Sequence, residues 1–328
     1  MDFKVFSTSP TFGYYALEPL EYLAKHGCQI ELVPQGKKMS EEELIQSVGQ
    51  YDAMIVGLDK ITKSIIEASK KMKVMTKHGV GVDNIDVEAA SKANIVVTNA
   101  PSTNSDAVAD LTVGLFVSLA RNIPFADRSV KEGGWPRIVG TQINGKVLGI
   151  IGLGQIGKRV AKRMSGFDMR ILAHDIVKDE AFAKKWGVTY TSLDELLTES
   201  DFISIHVTLD ASTRRMIGER ELGLMKKTAF LVNIARGDIV DEEALYRALK
   251  DGKIRAAALD AFSHEPPRGS PLLNLDNVIS TPHMGAYTYE ALREMGMVCV
   301  RDIVATLQGR HPQFVLNPEV LKKQSEKI

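Results

Sequence analysis

Three polar side chains that could together bind an anion and move a proton lie late in the chain. Arg236, Glu265 and His283 each follow a short apolar run of the kind that forms a buried strand. A guanidinium can hold a carboxylate in a planar fork, and an imidazole exchanges protons near neutral pH. A carboxylate beside an imidazole fixes its tautomer and stabilises its protonated form. Taken singly, the arginine could be a surface ion pair and the other two could be loop residues, but their order behind the motif described next favours an acid–base site.

That motif is a glycine-rich turn between a strand and a helix. The apolar run Val147–Ile151 leads into Gly152-Leu153-Gly154-Gln155-Ile156-Gly157, and a helical pattern continues over Lys158–Met164. In Gly-x-Gly-x-x-Gly the first glycine allows a tight turn, the second lets the backbone approach a pyrophosphate, and the third lets helix and strand pack closely. The free N–H groups of the helix N-terminus favour an anion. The context predicts a dinucleotide site; a glycine turn that binds nothing is the alternative.

An acidic residue, Asp175, ends the next predicted strand at about the distance that this motif requires. A carboxylate there can accept hydrogen bonds from the adenosine ribose and would repel a 2′-phosphate. NAD is therefore favoured over NADP. The alternative is that Asp175 is only a residue at the end of a strand.

Short apolar runs alternate with helical patterns along almost the whole chain, which is typical of parallel sheets with crossover helices. The predicted strands are Phe3–Ser7, Gln29–Val33, Ala53–Val56, Lys73–Thr76, Ile95–Thr98, Val147–Ile151, Arg170–His174, Phe202–His206, Ala229–Ile234 and Ala256–Leu259. The clearest predicted helices are Glu41–Val48, Val87–Ala93, Ser105–Arg121 and about Ala286–Leu307. The turn-like segment 99–102 predicts a domain boundary, and the last helix is expected to return the chain to the first domain.

Composition excludes several classes of protein. The 328 residues include 41 basic and 41 acidic side chains, so neither nucleic acid nor an anionic membrane is the expected partner. No secretory signal is visible, and the apolar stretch Leu111–Ala120 is too short to span a bilayer. The two cysteines, Cys28 and Cys299, suggest a reduced cytoplasmic setting. No metal site is expected, because His26, His78 and His174 lack ligand spacing.

These segments resemble the D-isomer-specific 2-hydroxyacid dehydrogenases, most closely the phosphoglycerate dehydrogenase branch. The likeness covers nearly the whole chain and includes Gly79-Val80-Gly81-Val82-Asp83-Asn84, the Gly152–Gly157 turn and the three segments around Arg236, Glu265 and His283. It implies an α/β fold of two Rossmann-like domains with parallel sheets, with the nucleotide-binding domain inserted into a flavodoxin-like substrate domain. The expected bounds are 101–289 for the NAD-binding domain and 1–100 with 290–328 for the substrate domain.

The resemblance also implies an activity: hydride transfer between NAD(H) and a D-2-hydroxy acid or 2-oxo acid, with D-3-phosphoglycerate, hydroxypyruvate, glyoxylate or a sugar-acid ketone as candidate substrates. Arg236 matches the residue that binds the substrate carboxylate, His283 the acid/base, and Glu265 its partner. An NAD-sensing, corepressor-like binding protein on the same fold is the alternative, although no extra tail or basic region supports it. The chain ends at Ile328, so no appended regulatory domain is expected.

Further site residues are implied by position. The cofactor would contact Gly152, Gly154, Gln155, Ile156, Gly157, Asp175, His206, Thr208, Thr213, Ala235, Asp260, His283 and Gly285. Asp260 is placed near the nicotinamide carboxamide, with a buried structural carboxylate as the alternative. Thr208 stands where the family often has proline. His264 is interpreted as an exposed loop residue.

The substrate loop is expected to be Lys77-His78-Gly79-Val80-Gly81, with backbone N–H groups that form an anion nest and a cleft that closes over the acid. Lys77 stands where the phosphoglycerate branch commonly has arginine, and is either a cation for a phosphate or other distal anion or a solvated lysine. Tyr287 replaces a usually small residue and could line the pocket or pack against a subunit neighbour. A homodimer is expected, with Trp135 on its contact arm.

Overall fold

The computed structural model describes residues 2–35, 37 and 39–325; the side chains of 323–325 are left aside. The chain divides into two compact units. The first combines Met1–Asn104 with Ala286–Ile328, and the second is the uninterrupted segment Ser105–Gly285. Each unit is a parallel sheet with helices on both faces.

The first unit has a five-stranded sheet in the order β2-β1-β3-β4-β5, with every neighbouring pair parallel. This is the flavodoxin-like order of a doubly wound sheet. The strands are β1 Phe3–Ser7, β2 Cys28–Leu32, β3 Ala53–Val56, β4 Val74–Lys77 and β5 Val96–Thr98. The helices from the first segment are α1 Glu18–Lys25, α2 Glu41–Ser47, α3 Lys63–Ala68 and α4 Val87–Lys92.

The second unit has a seven-stranded parallel sheet. Its helices are α5 Ser105–Arg121, α6 Ile123–Lys131, α7 Gln155–Met164, α8 Glu180–Trp186, α9 Leu193–Glu199, α10 Glu219–Leu224 and α11 Glu242–Lys250. Its strands are β6 Val147–Ile151, β7 Arg170–His174, β8 Val188–Tyr190, β9 Phe202–Ile205, β10 Phe230–Asn233, β11 Ala256–Leu259 and β12 Val278–Ser280. The order β12-β11-β10-β9-β6-β7-β8 is that of a Rossmann fold, with the switch point between β6 and β9. The predicted fold class is confirmed.

Two helices complete the first unit, α12 Tyr289–Leu307 and α13 Glu319–Ser325. The α12 helix begins later than the apolar pattern because the Thr288 side chain accepts a hydrogen bond from Ala291 N, which caps the helix there. The tail that follows joins the sheet edge. Val315 bridges Thr98, and the buried Asn317 amide accepts from Val97 N and donates to Ile95 O.

Alternate residues of each strand fill two cores, which explains why the strands are apolar throughout. In the first unit Val5 and Ile55 face a core with α1, α12 and α13, whereas Phe6 and Met54 face α2, α3 and α4. In the second unit one core lies against α5, α7 and α8, and the other against α9, α10 and α11.

The sequence interpretation missed the short strand β8, gave no bounds for β12, the strand expected before His283, and placed several other bounds one residue off. A strand of three residues is too short to show the alternation of apolar and polar residues that distinguishes a strand from a loop. Among the described residues no single helix is long and apolar enough to cross a membrane; α5 and α6, which meet at 63°, pass such a test only as a bent pair.

Candidate active site

The candidate acid–base residues follow three neighbouring strands that end level with one another. In the parallel ladder Asn233 of β10 pairs with Leu259 of β11, and Leu259 pairs with Ser280 of β12. The carboxyl edge of an open α/β sheet is where ligands bind. Arg236, Glu265 and His283 all lie in the loops that leave this edge.

A direct hydrogen bond joins two of them. His283 Nδ1 lies 2.9 Å from both Glu265 Oε1 and Oε2, and both side chains are about one quarter to one third exposed, 25% and 30%. Because the carboxylate accepts from Nδ1–H, it selects the tautomer that leaves Nε2 able to take a proton. The Phe262 N–H donates to Glu265 Oε1 at 3.0 Å and fixes the carboxylate.

The pKa of Glu265 reflects several opposing influences. Burial raises it, but the hydrogen bond and charge of His283, the N–H of Phe262 and the charge of Arg236 together hold the pKa of the carboxyl below its ordinary value. Glu265 is therefore a carboxylate throughout the neutral range, and Arg236 lies close enough to contribute to that state.

Arg236 is positioned by a buried amide. Asn233 Nδ2 donates to Arg236 O at 2.8 Å, and Asn233 Oδ1 accepts from Ala235 N at 3.1 Å, so one side chain closes the turn on which the arginine stands. The arginine also donates from Nη1 to Ala235 O at 2.9 Å. Gly237 follows, and a Cβ there would lie 2.0 Å from Phe262 C, so only glycine lets this turn meet the loop that carries Glu265.

The glycine-rich turn has the geometry that its sequence predicts. Gly152 has φ +94° and lies against the chain after β9, where a Cβ would come within 2.8 Å of His206 C. A Cβ on Gly157 would overlap Gly152 O at 2.2 Å, whereas one on Gly154 would meet nothing within 4 Å. Space at Gly154 and the N-terminus of α7, which begins with Gln155 and Ile156, fit a dinucleotide pyrophosphate.

Asp175, just after β7, braces this turn. Its Oδ2 accepts from Leu153 N at 2.6 Å and its Oδ1 from Val177 N at 2.8 Å. A carboxylate has about four lone-pair positions, so both oxygens can still accept from ribose hydroxyls. The residues present therefore fit NAD.

The other candidate cofactor residues lie near the same edge. Thr213 Oγ1 donates to Thr208 O at 2.6 Å and closes the turn after β9, and Thr208 is exposed. His206 is different, since its ring nitrogens are buried and have no hydrogen-bond partner among the described residues. Burial lowers the pKa of His206 to about 3. Gly285 N donates to Asp260 Oδ2 at 2.8 Å, and His264 is exposed as expected.

In the first unit the structure corrects the interpretation of Lys77. The strand β4 extends through Lys77, whose side chain is buried rather than solvated, with 4% of the residue exposed. Its Nζ donates to Gly57 O and, at 3.0 Å, to Asn84 Oδ1. The Asn84 amide in turn donates to Gly57 O and Asp59 O. These acceptors compensate the burial of the ammonium group.

His78 is also buried. Its Nδ1 lies 3.0 Å from Ser9 Oγ, and its ring meets Phe12 edge to face at 5.6 Å. Burial lowers the pKa of His78 to about 4, and the charge of Lys77 acts in the same direction. The imidazole is thus a neutral part of the interior of the first unit.

The glycine loop that follows presents backbone donors. The Gly79 carbonyl oxygen accepts a hydrogen bond from Ala100 N at 2.9 Å, and the Val80 carbonyl oxygen accepts one from Asn99 Nδ2 at 2.7 Å. Within the described part of the chain the N–H groups of Val80 and Gly81 donate to no protein acceptor. Tyr287 lies before α12 and is 39% exposed.

Sequence reasoning missed the side chains that hold these loops. Three side chains each hold a turn by a hydrogen bond. Asn233 bonds Arg236 O within its own turn, whereas Thr281 bonds Asp260 and Asn84 bonds Asp59 O, both more than twenty residues away in sequence. Only Asn233 left a signal, a polar residue that ends the apolar run Phe230–Val232.

Comparison with known proteins identifies the relatives of this chain. The family model described as D-isomer specific 2-hydroxyacid dehydrogenase, NAD binding domain, matches residues 113–285. A D-3-phosphoglycerate dehydrogenase of Methanocaldococcus jannaschii is 46% identical over 295 residues, covering 88% of this chain and 56% of that protein. The chain thus spans little more than half the length of that relative.

Other similarities extend over nearly the full length of the matched protein. A glyoxylate reductase of Thermofilum pendens is 40% identical over 322 residues, which is 93% of each chain. The solved structure of a glyoxylate reductase from Paecilomyes thermophila superposes with a TM-score of 0.84 at 31% identity, covering 97% of this chain and 99% of that one.

His206, whose ring nitrogens are buried beside the glycine turn, gives a prediction for stability in acid. An unfolded histidine gains a proton below its usual pKa near 6.5, whereas His206 in the fold stays neutral to about 3. The unfolded state therefore binds more protons as the pH falls, and the free energy of unfolding should decrease by about 1.4 kcal/mol per pH unit from this group between pH 6.5 and 4.

Urea titrations at pH 7 and pH 5 measure this effect. Between the two pH values His206→Asn should lose less stability than the wild type, because asparagine takes up no proton in the unfolded state. The carboxylates contribute equally to the variant and to the wild type, so they do not affect this difference. His264→Asn, at an exposed position, should keep the slope of the wild type. Equal slopes for all three proteins would contradict the neutral burial of His206.

Proposed function

Because the chain belongs to the D-isomer specific 2-hydroxyacid dehydrogenase family, we propose that it interconverts a D-2-hydroxy acid and the corresponding 2-oxo acid with NAD(H). The observation that carries the proposal is the His283–Glu265 hydrogen bond, with Arg236 beside it at the carboxyl edge of the sheet. The glycine turn of the same sheet fits the dinucleotide.

Each residue of the site has a distinct task. Arg236 binds the carboxylate and the neighbouring oxygen of the acid, which a planar guanidinium can hold in one plane. His283 Nε2 takes the hydroxyl proton in oxidation and returns it in reduction, while Glu265 stabilises the imidazolium. Bound NAD supplies the acceptor or donor for hydride. Gly152, Gly154, Gly157 and Asp175 would hold its pyrophosphate and ribose.

The acid is proposed to be a short one without a distal phosphate, such as glyoxylate or hydroxypyruvate. Lys77, the cation that the family resemblance places at a distal anion, is buried and already donates to Gly57 O and Asn84 Oδ1. Withdrawing it to reach a phosphate would break both hydrogen bonds. The N–H groups of Val80 and Gly81 remain as neutral donors for a carboxylate.

A substrate panel tests this proposal. NADH oxidation should be fastest, by kcat/KM, with glyoxylate or hydroxypyruvate, and should be at least ~10-fold lower with phosphohydroxypyruvate, because one charge-assisted contact is worth about that much. With every acid, NADPH should be a poorer reductant than NADH. Binding of NADH without turnover of any acid would overturn the dehydrogenase and favour an NAD-sensing protein.

Removing the proposed acid/base should separate chemistry from binding. His283→Ala should lower kcat by about 10²–10⁴-fold, because general acid–base catalysis is worth that much. The Kd for NADH, from quenching of protein fluorescence, should change little. Arg236→Lys is the matched comparison and should raise KM for the acid, since an ammonium cannot reproduce the fork. Turnover by His283→Ala near that of the wild type would contradict the mechanism.

We also propose that the protein is a cytoplasmic homodimer. The α6 helix has no buried residue and exposes Ile123, Phe125 and Val130. The segment beyond it exposes Trp135 and Val139 by 78% and 86%. Large apolar surface of this kind is typical of a protein contact. Both cysteines are free and buried, which is compatible with a reducing compartment.

Light scattering coupled to gel filtration tests the dimer. The wild type should have twice the mass of one chain, and Trp135→Asp should shift it towards one chain by placing a charge in the apolar contact. Ile176→Asp, at a position 97% exposed on another loop, should leave the mass unchanged. A wild-type mass equal to one chain would contradict the dimer.

A further inference from the structure

One buried carboxylate, that of Asp260, holds the loop that carries His283. Asp260 directly follows β11 and is 1% exposed. Its Oδ1 accepts from Thr281 Oγ1 at 2.5 Å and from Met284 N at 2.9 Å, and its Oδ2 accepts from Gly285 N at 2.8 Å. The three donors lie on both sides of His283 in sequence.

We call the Asp260 carboxylate with its three donors, on Thr281, Met284 and Gly285, the clamp. The backbone conformation of His283 explains why this clamp is needed. His283 has φ +51°, in the left-handed region that residues other than glycine rarely adopt. A conformation of this kind persists only where its surroundings fix it. It also turns the next two N–H groups, of Met284 and Gly285, towards one point, as in an anion-binding nest. The Asp260 carboxylate fills that nest.

The clamp also determines where the imidazole lies. The left-handed turn at His283 directs the ring to Glu265, 2.9 Å from its Nδ1. Glu265 is fixed separately by Phe262 N, on the loop that begins at Asp260. Both residues of the pair therefore depend on the end of β11. Glu265 depends on it through the backbone of its own loop, and His283 depends on it through the side chain of Asp260.

We propose that Asp260 is a positioning residue for His283, acting through Thr281, Met284 and Gly285, whose donors occupy three of the roughly four acceptor positions of its carboxylate. This inference rests on the proposed role of His283. It differs from the interpretation of Asp260 as a cofactor ligand, because the two readings predict different defects when one hydrogen bond of the clamp is removed.

Thr281→Val is the most specific variant, since it removes one hydroxyl donor and keeps the shape of the side chain. Thr281→Ser keeps the hydroxyl and is its matched control. We expect Thr281→Val and Asp260→Asn to lower kcat with the acid, Asp260→Asn by on the order of 10²-fold, because displacement of a catalytic group by about 1 Å costs that much. Thr281→Ser should stay near the wild type, and NADH affinity should change little in all three.

A second measurement does not depend on turnover. With histidines labelled at Cε1, the His283 signal is assigned by its loss in His283→Gln, and its titration is followed in the protein without NADH. Thr281→Val and Asp260→Asn should move both the shift and the midpoint of this titration, while Thr281→Ser should not. Far-UV circular dichroism and the unfolding midpoint establish that each variant is folded.

The outcomes separate the possibilities. An unchanged His283 titration in both clamp variants would overturn the positioning role, as would a loss of NADH affinity with kcat intact at saturating NADH. A wild type that turns over no acid would end the proposed function, yet a shifted His283 titration in the variants would still establish the clamp.

Discussion

The parallel register of β10, β11 and β12 is the constraint on which the site depends. Asn233, Leu259 and Ser280 lie level in the ladder, so the next residue of each chain segment leaves the sheet at the same edge. Parallel strands with both faces covered end in this way because crossover helices return every strand to the same side. Residues from different loops, such as Glu265 and His283 or Asp260 and Gly285, thus meet within hydrogen-bond distance although they are 18 and 25 positions apart in sequence.

Two buried polar side chains and one backbone N–H then hold the loops after these strands in a defined arrangement. Asn233 closes the turn of Arg236, Asp260 closes the turn of His283, and Phe262 N–H fixes Glu265. Each uses a hydrogen bond in a region of low dielectric, where an unpaired group would be costly and a paired one is rigid. Rigid support of this kind is what an acid–base pair needs to hold one tautomer and one direction.

The first unit uses the same principle for a different purpose. Lys77 and His78 carry groups that could be reactive at a surface, but the fold buries both and pairs them with Gly57 O, Asn84 and Ser9. In the following glycine loop, Gly79 N donates to Lys77 O, whereas the N–H groups of Val80 and Gly81 donate to no acceptor within the described part of the chain. The polar groups of Lys77 and His78 are thus used within the fold.

The sequence alone determined the class of fold, located the glycine turn and singled out Arg236, Glu265 and His283 as candidates, because apolar periodicity, glycine spacing and strand-end polarity are local properties of the chain. It also predicted β1, β3, β6, β7, β11 and α5 with the bounds that the structure has. It could not show that Lys77 is buried or that β8 exists, since a three-residue strand and the environment of an ammonium group are set by neighbours from elsewhere in the chain. Nor could it show the left-handed backbone of His283 and the carboxylate that sustains it. Those features arise only when separate strands meet at one edge, because only there do polar groups from different loops come close enough to hold one another in place.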